Sequence, residues 1–178
     1  RVQLGTGINN TDSTIQFLSS GSVTAAEFGR INQILSSVVR VSQASDLAGT
    51  LDSSKAYLLD GIIDMGSQSI TVPTGGLTIL GQSFDISGLT SSEDNYTLFV
   101  SESIAIGSGN LLMADIDISV TGANSKVYEL YDATGFNAIE IARVNYTDCT
   151  SLGDLYEYRQ GLEDGTGRFS GSPSLTLH

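Results

Sequence analysis

The chain repeats one short pattern of apolar and polar residues. An apolar residue, Asp or Asn, a second apolar residue, and Ser or Thr follow one another at 84–87, 116–119 and 144–147. In an extended strand, successive side chains point to opposite faces, so the apolar residues of each copy face one side and Asp or Asn faces the other. The pattern therefore predicts a strand that is buried on one face and recurs along the chain.

Two further columns of apolar segments recur in the same order as this motif. They comprise 69–72, 103–106 and 135–138 in the first column, and 98–99, 127–128 and 155–156 in the third. Copies within a column lie about 30 residues apart, which is the period of a solenoid whose repeats stack their apolar faces. Three short strands per repeat predict a mainly β fold: a parallel β-helix with three strands per turn, occupying residues 56–178.

A β-sandwich is the main alternative for a strand-rich chain. Its hairpins would be marked by Asn-Gly or Asp-Gly between alternating strands about 8 to 12 residues apart. Asp60-Gly61 and Asp164-Gly165 are present, but neither stands between two alternating strands. The polar stretches 87–97 and 121–126 instead predict loops at the corners of a coil.

A helix start precedes the predicted strands. Thr24 has the position of an N-cap, with Glu27 three residues later to complete a capping box. Phe28, Ile31 and Leu35 continue an apolar stripe at helical spacing. A short isolated helix is marginal in water, so the stripe needs cover from the body of the chain or from other copies in an oligomeric stem.

The chain therefore divides into four predicted parts. We expect an extended lead-in over 1–22, a capping or stem helix over 23–41, a polar linker over 42–55 and β-helix rungs from 56 onward. A helix placed before the first turn of the β-helix is also suited to cover the open end of the coil. Unpaired strand edges would otherwise be exposed there.

Charge and hydropathy limit the partners. The 178 residues carry 8 basic and 20 acidic side chains, a net charge of −12 that repels nucleic-acid phosphates. No apolar run has the length of a membrane span, and the start has neither a signal-peptide core nor an initiator Met. We expect a soluble piece of a longer protein that binds no nucleic acid and inserts into no membrane.

The sequence offers little cofactor chemistry. Cys149 is the single cysteine and His178 the single histidine, so we expect no disulfide, no thiolate metal cluster and a buried, inert thiol. The glycine-rich segments lack a following Gly-Lys-Ser/Thr, and no twelve-residue calcium loop is present. We predict no cofactor; a divalent cation between neighbouring Asp and Asn oxygens has no ligand pattern to support it.

Residues 57–88, and the repeats that continue through 137–161, resemble the right-handed parallel β-helix proteins of tailed bacteriophages, the tailspike and tail-fibre group. The resemblance covers roughly residues 56–160. It implies a right-handed coil, a homotrimer, a place in the virion tail beside other tail proteins, and binding of host-surface polysaccharide. Some members also cleave that polysaccharide.

Paired carboxylates are the chemistry that glycan cleavage requires. Asp115 and Asp117 are two residues apart on a predicted strand and would lie about 7 Å apart on one face, a separation suited to glycoside hydrolysis. They are the catalytic candidates, although solvated carboxylates on an acidic surface are the favoured explanation for any such pair. Arg143 takes the position of Asp115 one repeat later, which predicts an ion pair between repeats.

Aromatic rings are the chemistry that glycan binding requires. The candidates are the tyrosines Tyr96, Tyr131 and Tyr158, together with Glu93 and Asp94 on the long corner. A ladder of stacked aromatic residues inside the coil is the favoured role for several of the tyrosines, ahead of a glycan-binding surface.

Three functional hypotheses follow. The first is a structural and receptor-binding component of a virion tail, and the second is a polysaccharide depolymerase, either a hydrolase or a lyase. The third is a bacterial surface adhesin with the same coil. We favour the first because no carboxylate pair stands apart from the others.

Overall fold

The structure is a computed structural model that describes residues 37–132, 134–158, 160–163, 168–169 and 174–178. Short β-strands dominate these residues, with one 3-10 helix at Ala44–Leu47. The strands are numbered in chain order: β1 (Val38–Val41), β2 (Ala56–Leu59), β3 (Ile62–Asp64), β4 (Ile70–Val72), β5 (Leu77–Leu80), β6 (Gly88–Ser91), β7 (Thr97–Ser101), β8 (Leu111–Ala114), β9 (Asp117–Val120), β10 (Lys126–Tyr131), β11 (Ala138–Ala142), β12 (Asn145–Tyr146), β13 (Gly153–Tyr156), β14 (Gln160–Glu163), β15 (Arg168–Phe169) and β16 (Leu175–Leu177).

The strands form three sheets in which every pairing is parallel. Sheet A has the order β1-β2-β5-β8-β11-β14, sheet B has β3-β6-β9-β12-β15, and sheet C has β4-β7-β10-β13-β16. From β2 onward, consecutive strands enter sheets A, B and C in turn, and the fourth returns to sheet A. We call each such set of three strands a rung. The prediction of a mainly β fold with three recurring strands is confirmed.

The register confirms part of the predicted columns. Asn145 pairs with Asp117 and Tyr146 with Ile118, so the second and third copies of the opening motif are neighbours in sheet B. The apolar residues of these copies, Ile116, Ile118, Val144 and Tyr146, are fully buried. Tyr128 likewise pairs with Phe99 in sheet C, as predicted.

The first copy of the motif is not a strand. Phe84, Asp85 and Ile86 form a turn in which the carbonyl of Ser83 accepts hydrogen bonds from the amides of Ile86 and Ser87. Ile86 is consequently 54% exposed. The strand that pairs with β9 begins at Gly88, so the apolar pattern located this strand three residues too early.

Two other predicted alignments are wrong. Segments 103–106 and 135–137 lie in the corners that lead from sheet C to sheet A, where Ile104 and Phe136 are 71% and 78% exposed. The neighbour of β4 is β7 instead. In the third column Tyr156 pairs with Tyr131, not with Tyr128. An apolar residue at a corner has the same sequence signature as one in the core, so periodicity alone misassigned these segments.

The predicted N-terminal division also changes. The lead-in over 1–22 and the helix as far as residue 36 lie outside the described residues. Residues 38–41, predicted as the end of the helix, form β1 and pair with β2, in keeping with the preference of β-branched Val for strands. The predicted linker contains the 3-10 helix with a buried Leu47, and the first strand of the described residues starts at residue 38, ahead of the predicted 56.

The three sheets share one hydrophobic core. Phe99 and Tyr128 stack in it with ring centroids 5.6 Å apart, and the Tyr146 ring meets Tyr128 edge-on at 6.5 Å. The hydroxyls of Tyr128 and Tyr146 are hydrogen-bonded to each other at 2.6 Å. Both rings are therefore buried without leaving a hydroxyl unpaired. The predicted internal stack of aromatic residues is therefore present in adjacent rungs.

Gly153 shows how closely successive rungs approach. Its φ is +96°, a left-handed conformation that favours glycine, and it pairs with Tyr128. A Cβ at this position would overlap the carbonyl oxygen of Tyr128. Glycine is therefore required here for two separate reasons: its positive φ and the close approach of the adjacent backbone.

We predict that Gly153→Ala lowers the free energy of unfolding by about 2–4 kcal/mol, because backbone strain and overlap with the adjacent strand add together. Gly49→Ala is the matched control, since Gly49 also has a positive φ, +72°, but has open space around its missing Cβ. Its expected cost is about 1 kcal/mol. Urea unfolding of both variants is the measurement, and equal losses would contradict the proposed contact.

Candidate functional site

An aromatic stack lies on the outer face of sheet C. The rings of Tyr131 and Tyr156 are parallel within 6°, with centroids 4.3 Å apart. His178 stacks on the other side of Tyr156, also at 4.3 Å and within 9°. The register produces this column because Tyr131 pairs with Tyr156, and the next residue pair along β13 and β16 brings His178 into line.

The stack covers the two tyrosines unequally. Both faces of Tyr156 are covered by rings, whereas among the described residues a ring lies against one face of Tyr131 and not the other. Tyr131 borders a groove of about 380 Å³ at the corner between sheets C and A. The groove is lined by residues of three successive rungs: Ile104, Tyr131, Asp132, Thr134, Gly135, Tyr156 and Glu157.

Asp132 fixes the shape of this corner. Its carboxylate accepts hydrogen bonds from the amide and hydroxyl of Thr134, both at 2.8 Å, and from the amide and side-chain nitrogen of Asn137, both at 2.7 Å. The residue is 3% exposed. Burial opposes ionisation of Asp132, but the hydrogen bonds from Asn137 and Thr134 prevail and hold its pKa below the usual value.

The groove combines an apolar wall with groups that hydrogen-bond. Ile104 and the tyrosine rings supply the apolar surface and Glu157 supplies a carboxylate, while the Thr134 hydroxyl is bound to Asp132 and Asn137. The described residues that line it include no Lys or Arg. Such a surface is suited to a hydroxyl-rich, uncharged ligand, because an aromatic face packs against C–H groups and a carboxylate accepts from hydroxyls.

Polar contacts fix the position of His178, which forms one end of the stack. Lys126 Nζ lies 2.9 Å from Glu129 and 3.3 Å from Asp154, and His178 Nε2 lies 3.1 Å from Asp154. The hydrogen bond from His178, assisted by Lys126, lowers the pKa of Asp154 despite partial burial. These contacts orient His178 against Tyr156.

The catalytic candidates are held in contacts between rungs. Asp115 has φ +59° and lies between β8 and β9, so it does not share a strand with Asp117 as predicted. Its carboxylate pairs with Arg143 at 2.5 Å, which confirms the predicted ion pair and lowers the pKa of Asp115. Asp117 accepts hydrogen bonds of 2.6 Å from Asn145 and from Thr147.

Two of the predicted glycan-binding tyrosines belong to the core. Tyr96 is 5% exposed and donates a hydrogen bond of 2.6 Å to the carbonyl of Gln68. Tyr158 is 7% exposed, contacts Ser108 and Gly109 through its hydroxyl, and has its pKa raised by burial to about 12. Neither ring presents a face on which a sugar could stack, so their predicted role is wrong for this structure.

The acidic candidates Glu93 and Asp94 lie on an exposed corner. The loop predicted over 87–97 contains β6, so the corner itself is confined to residues 92–96. Asp94 accepts a 2.7 Å hydrogen bond from the amide of Ala123, which ties this corner to the next one. Tyr131 is thus the predicted binding residue that lies at the groove.

The described residues give little support for metal binding or for a reactive thiol. Within the described ranges, His, Cys, Asp and Glu form no group of three or more that could hold a metal ion. Cys149 is buried, and burial raises the pKa of its thiol to about 11, as expected for an inert side chain. No helix in the described part of the chain is long and apolar enough to cross a membrane.

Comparison of the chain with protein-family models, with curated proteins and with solved structures found no match.

Sequence reasoning missed most of the groove, although a usable signal is present. The triplets Glu129-Leu130-Tyr131 and Asp154-Leu155-Tyr156 are near-copies that pair residue by residue. Aligning them would have placed Tyr156 beside Tyr131. Thr134 and Glu157 have no comparable signal, because corner residues follow no shared period.

We predict that Asp132→Asn lowers the free energy of unfolding by about 1–3 kcal/mol at neutral pH, because the charge-assisted hydrogen bonds are lost and an amide would face donors. The lowered pKa means that ionised Asp132 stabilises the fold above the usual carboxyl pKa and that this contribution disappears as the pH falls through the folded-state pKa.

Urea unfolding of both proteins at neutral pH and at about pH 3 measures this effect. The difference between wild type and Asp132→Asn should narrow in acid. Asp85→Asn, at an exposed turn, is the control and should differ from wild type at neither pH. A difference that stays constant across this range would show that ionisation of Asp132 is unimportant.

Proposed function

We propose that this chain is part of a virion tail fibre or tailspike that binds host-surface glycan. In this proposal the described strands β1–β16 form a right-handed parallel β-helix with three strands per turn, three copies assemble, and the particle tail carries them beside other tail proteins. The resemblance of residues 56–160 to that group and the cyclic order of strands among three parallel sheets support it.

The face of Tyr131 against which no described ring stacks is the observation that carries the binding proposal. Sugars pack their C–H faces on aromatic rings, and here one ring face borders a groove with a carboxylate nearby. The Tyr156–His178 stack holds the Tyr131 ring in place, so little side-chain entropy is lost on binding. The proposed ligand is a segment of polysaccharide lying across the corners of three rungs.

The acidic surface is compatible with this role. A net charge of −12 opposes contact with acidic polymers and keeps the chain soluble. The described lining of the groove is also acidic, because it includes Glu157 and Asp132 and no Lys or Arg. Neutral polysaccharide is therefore the favoured class of ligand.

We predict that Tyr131→Ala weakens polysaccharide binding at least tenfold, about 1.4 kcal/mol, because the ring face is removed, while Tyr131→Phe stays close to wild type. Binding is measured on a panel of purified bacterial O-polysaccharides and capsular polysaccharides, with and without uronic acids. Because the chain has no Trp, tyrosine fluorescence provides a second readout.

Phe84→Ala is the matched control, since Phe84 is a partly exposed aromatic residue at a different corner. It should bind like wild type. If no polysaccharide of the panel binds the wild-type chain, or if Tyr131→Ala binds as tightly as wild type, the glycan proposal is refuted.

A further inference from the structure

The outer face of sheet A differs in chemistry from the outer faces of sheets B and C. Its side chains alternate with buried ones along each strand and form two registered columns. From β1 to β11 the columns are Val38, Ala56, Thr78, Leu112, Glu140 and Arg40, Leu58, Leu80, Ala114, Ala142. On β2, β5 and β8 these outward positions carry no charge.

The strands of sheet A therefore read as nearly continuous apolar runs: AYLL, LTIL and LLMA. Parallel strands have this composition when both faces of their sheet are covered. Sheet B provides an internal comparison, because its outward positions include Asp64, Thr90, Asp117 and Ser119. Sheet C places Lys126, Glu129 and Asp154 outward. One sheet of the three thus has the composition of a contact surface.

We propose that the outer face of sheet A, centred on Leu58, Leu80, Leu112 and Ala114, is the surface on which a second copy of this chain docks. The inference extends the proposed function, since it needs copies to assemble, but it does not need the groove to bind sugar.

Charge favours a second copy as the occupant. Two chains of net charge −12 repel each other wherever carboxylates meet, and the middle of sheet A is free of them. The charged positions lie at the two ends of the face. Arg40, at one end, is paired with Asp60 at 2.6 Å, while Glu140 lies at the other end.

The size of the face fits the centre of an interface. Five strands span about 19 Å at the usual strand spacing, and four residues of each strand extend about 13 Å, so the face covers about 250 Å², a part of the roughly 800 Å² per partner in a stable interface. Val38 and Leu112, both in the first column, are 38% and 37% exposed, so apolar surface of this face is open to a partner. An apolar centre with polar ends is the usual anatomy of contacts between identical chains.

The first test is the assembly state of the full chain by analytical ultracentrifugation. We expect the wild type to sediment as an oligomer and Leu80→Asp to sediment as a folded single chain. Ser119→Asp is the matched control, because Ser119 is also a partly exposed strand residue with Thr90 as its neighbour in sheet B. It should keep the wild-type mass. A dimer would support the docking face and contradict only the trimer in the proposed function.

A second test does not depend on the folding of Leu80→Asp. The single native thiol is buried, so a maleimide reads a new surface cysteine alone. Leu112→Cys should react at least about tenfold more slowly than Ser119→Cys while the chain is assembled, since an interface core excludes water. Dilution to single chains should remove the difference.

Three results would overturn the inference. They are a wild-type chain that is monomeric at all concentrations, a folded Leu80→Asp variant with the wild-type mass, and protection of Leu112→Cys that persists in single chains. The last result would mean that sheet A is covered from within the chain. Loss of the docking face with intact binding at Tyr131 would leave the glycan proposal in place.

Discussion

Parallel pairing of each strand with the strand one rung later is the constraint on which the rest depends. It satisfies the backbone hydrogen bonds of both strands and also brings like positions of successive rungs into columns. Apolar columns become the core, where Phe99 stacks on Tyr128 and Leu77 pairs with Leu111. Polar columns become cross-rung contacts such as Asp117 with Asn145. One registered ladder thus organises the core and the surface together.

The same constraint explains the chemistry at the corners. Strands are held to a fixed spacing, so variation in length falls in the connections between sheets, and these carry the groove residues Ile104, Thr134 and Glu157. Asp132 stabilises its own corner through four hydrogen bonds rather than facing a ligand as a free carboxylate. Tyr131 lies where a registered strand meets a variable corner. That position combines a fixed ring with a local cavity.

The outer faces of the three sheets differ in the chemistry of their side chains. Sheet C has the aromatic stack and its ion pairs, sheet B has small polar side chains, and sheet A has an uncharged centre. In a chain with 20 acidic residues, an uncharged strip across three strands is a local departure from the general composition. The proposed ligand surface and the proposed docking surface therefore lie on different sheets. Each can be mutated without changing the other.

The sequence by itself determined the class of fold, the repeat of three strands and the pairing of Asp115 with Arg143, because these depend on periodicity, and periodicity is written along the chain. Tertiary structure decided which apolar residues are buried. Ile86 and Phe136 have the sequence context of strand residues yet lie at exposed corners, and Val38 begins a strand where a helix was predicted. The physical reason is that burial depends on the registered neighbour one rung away. For the same reason the Tyr131 groove, assembled from three rungs, exists only once the strands are in register.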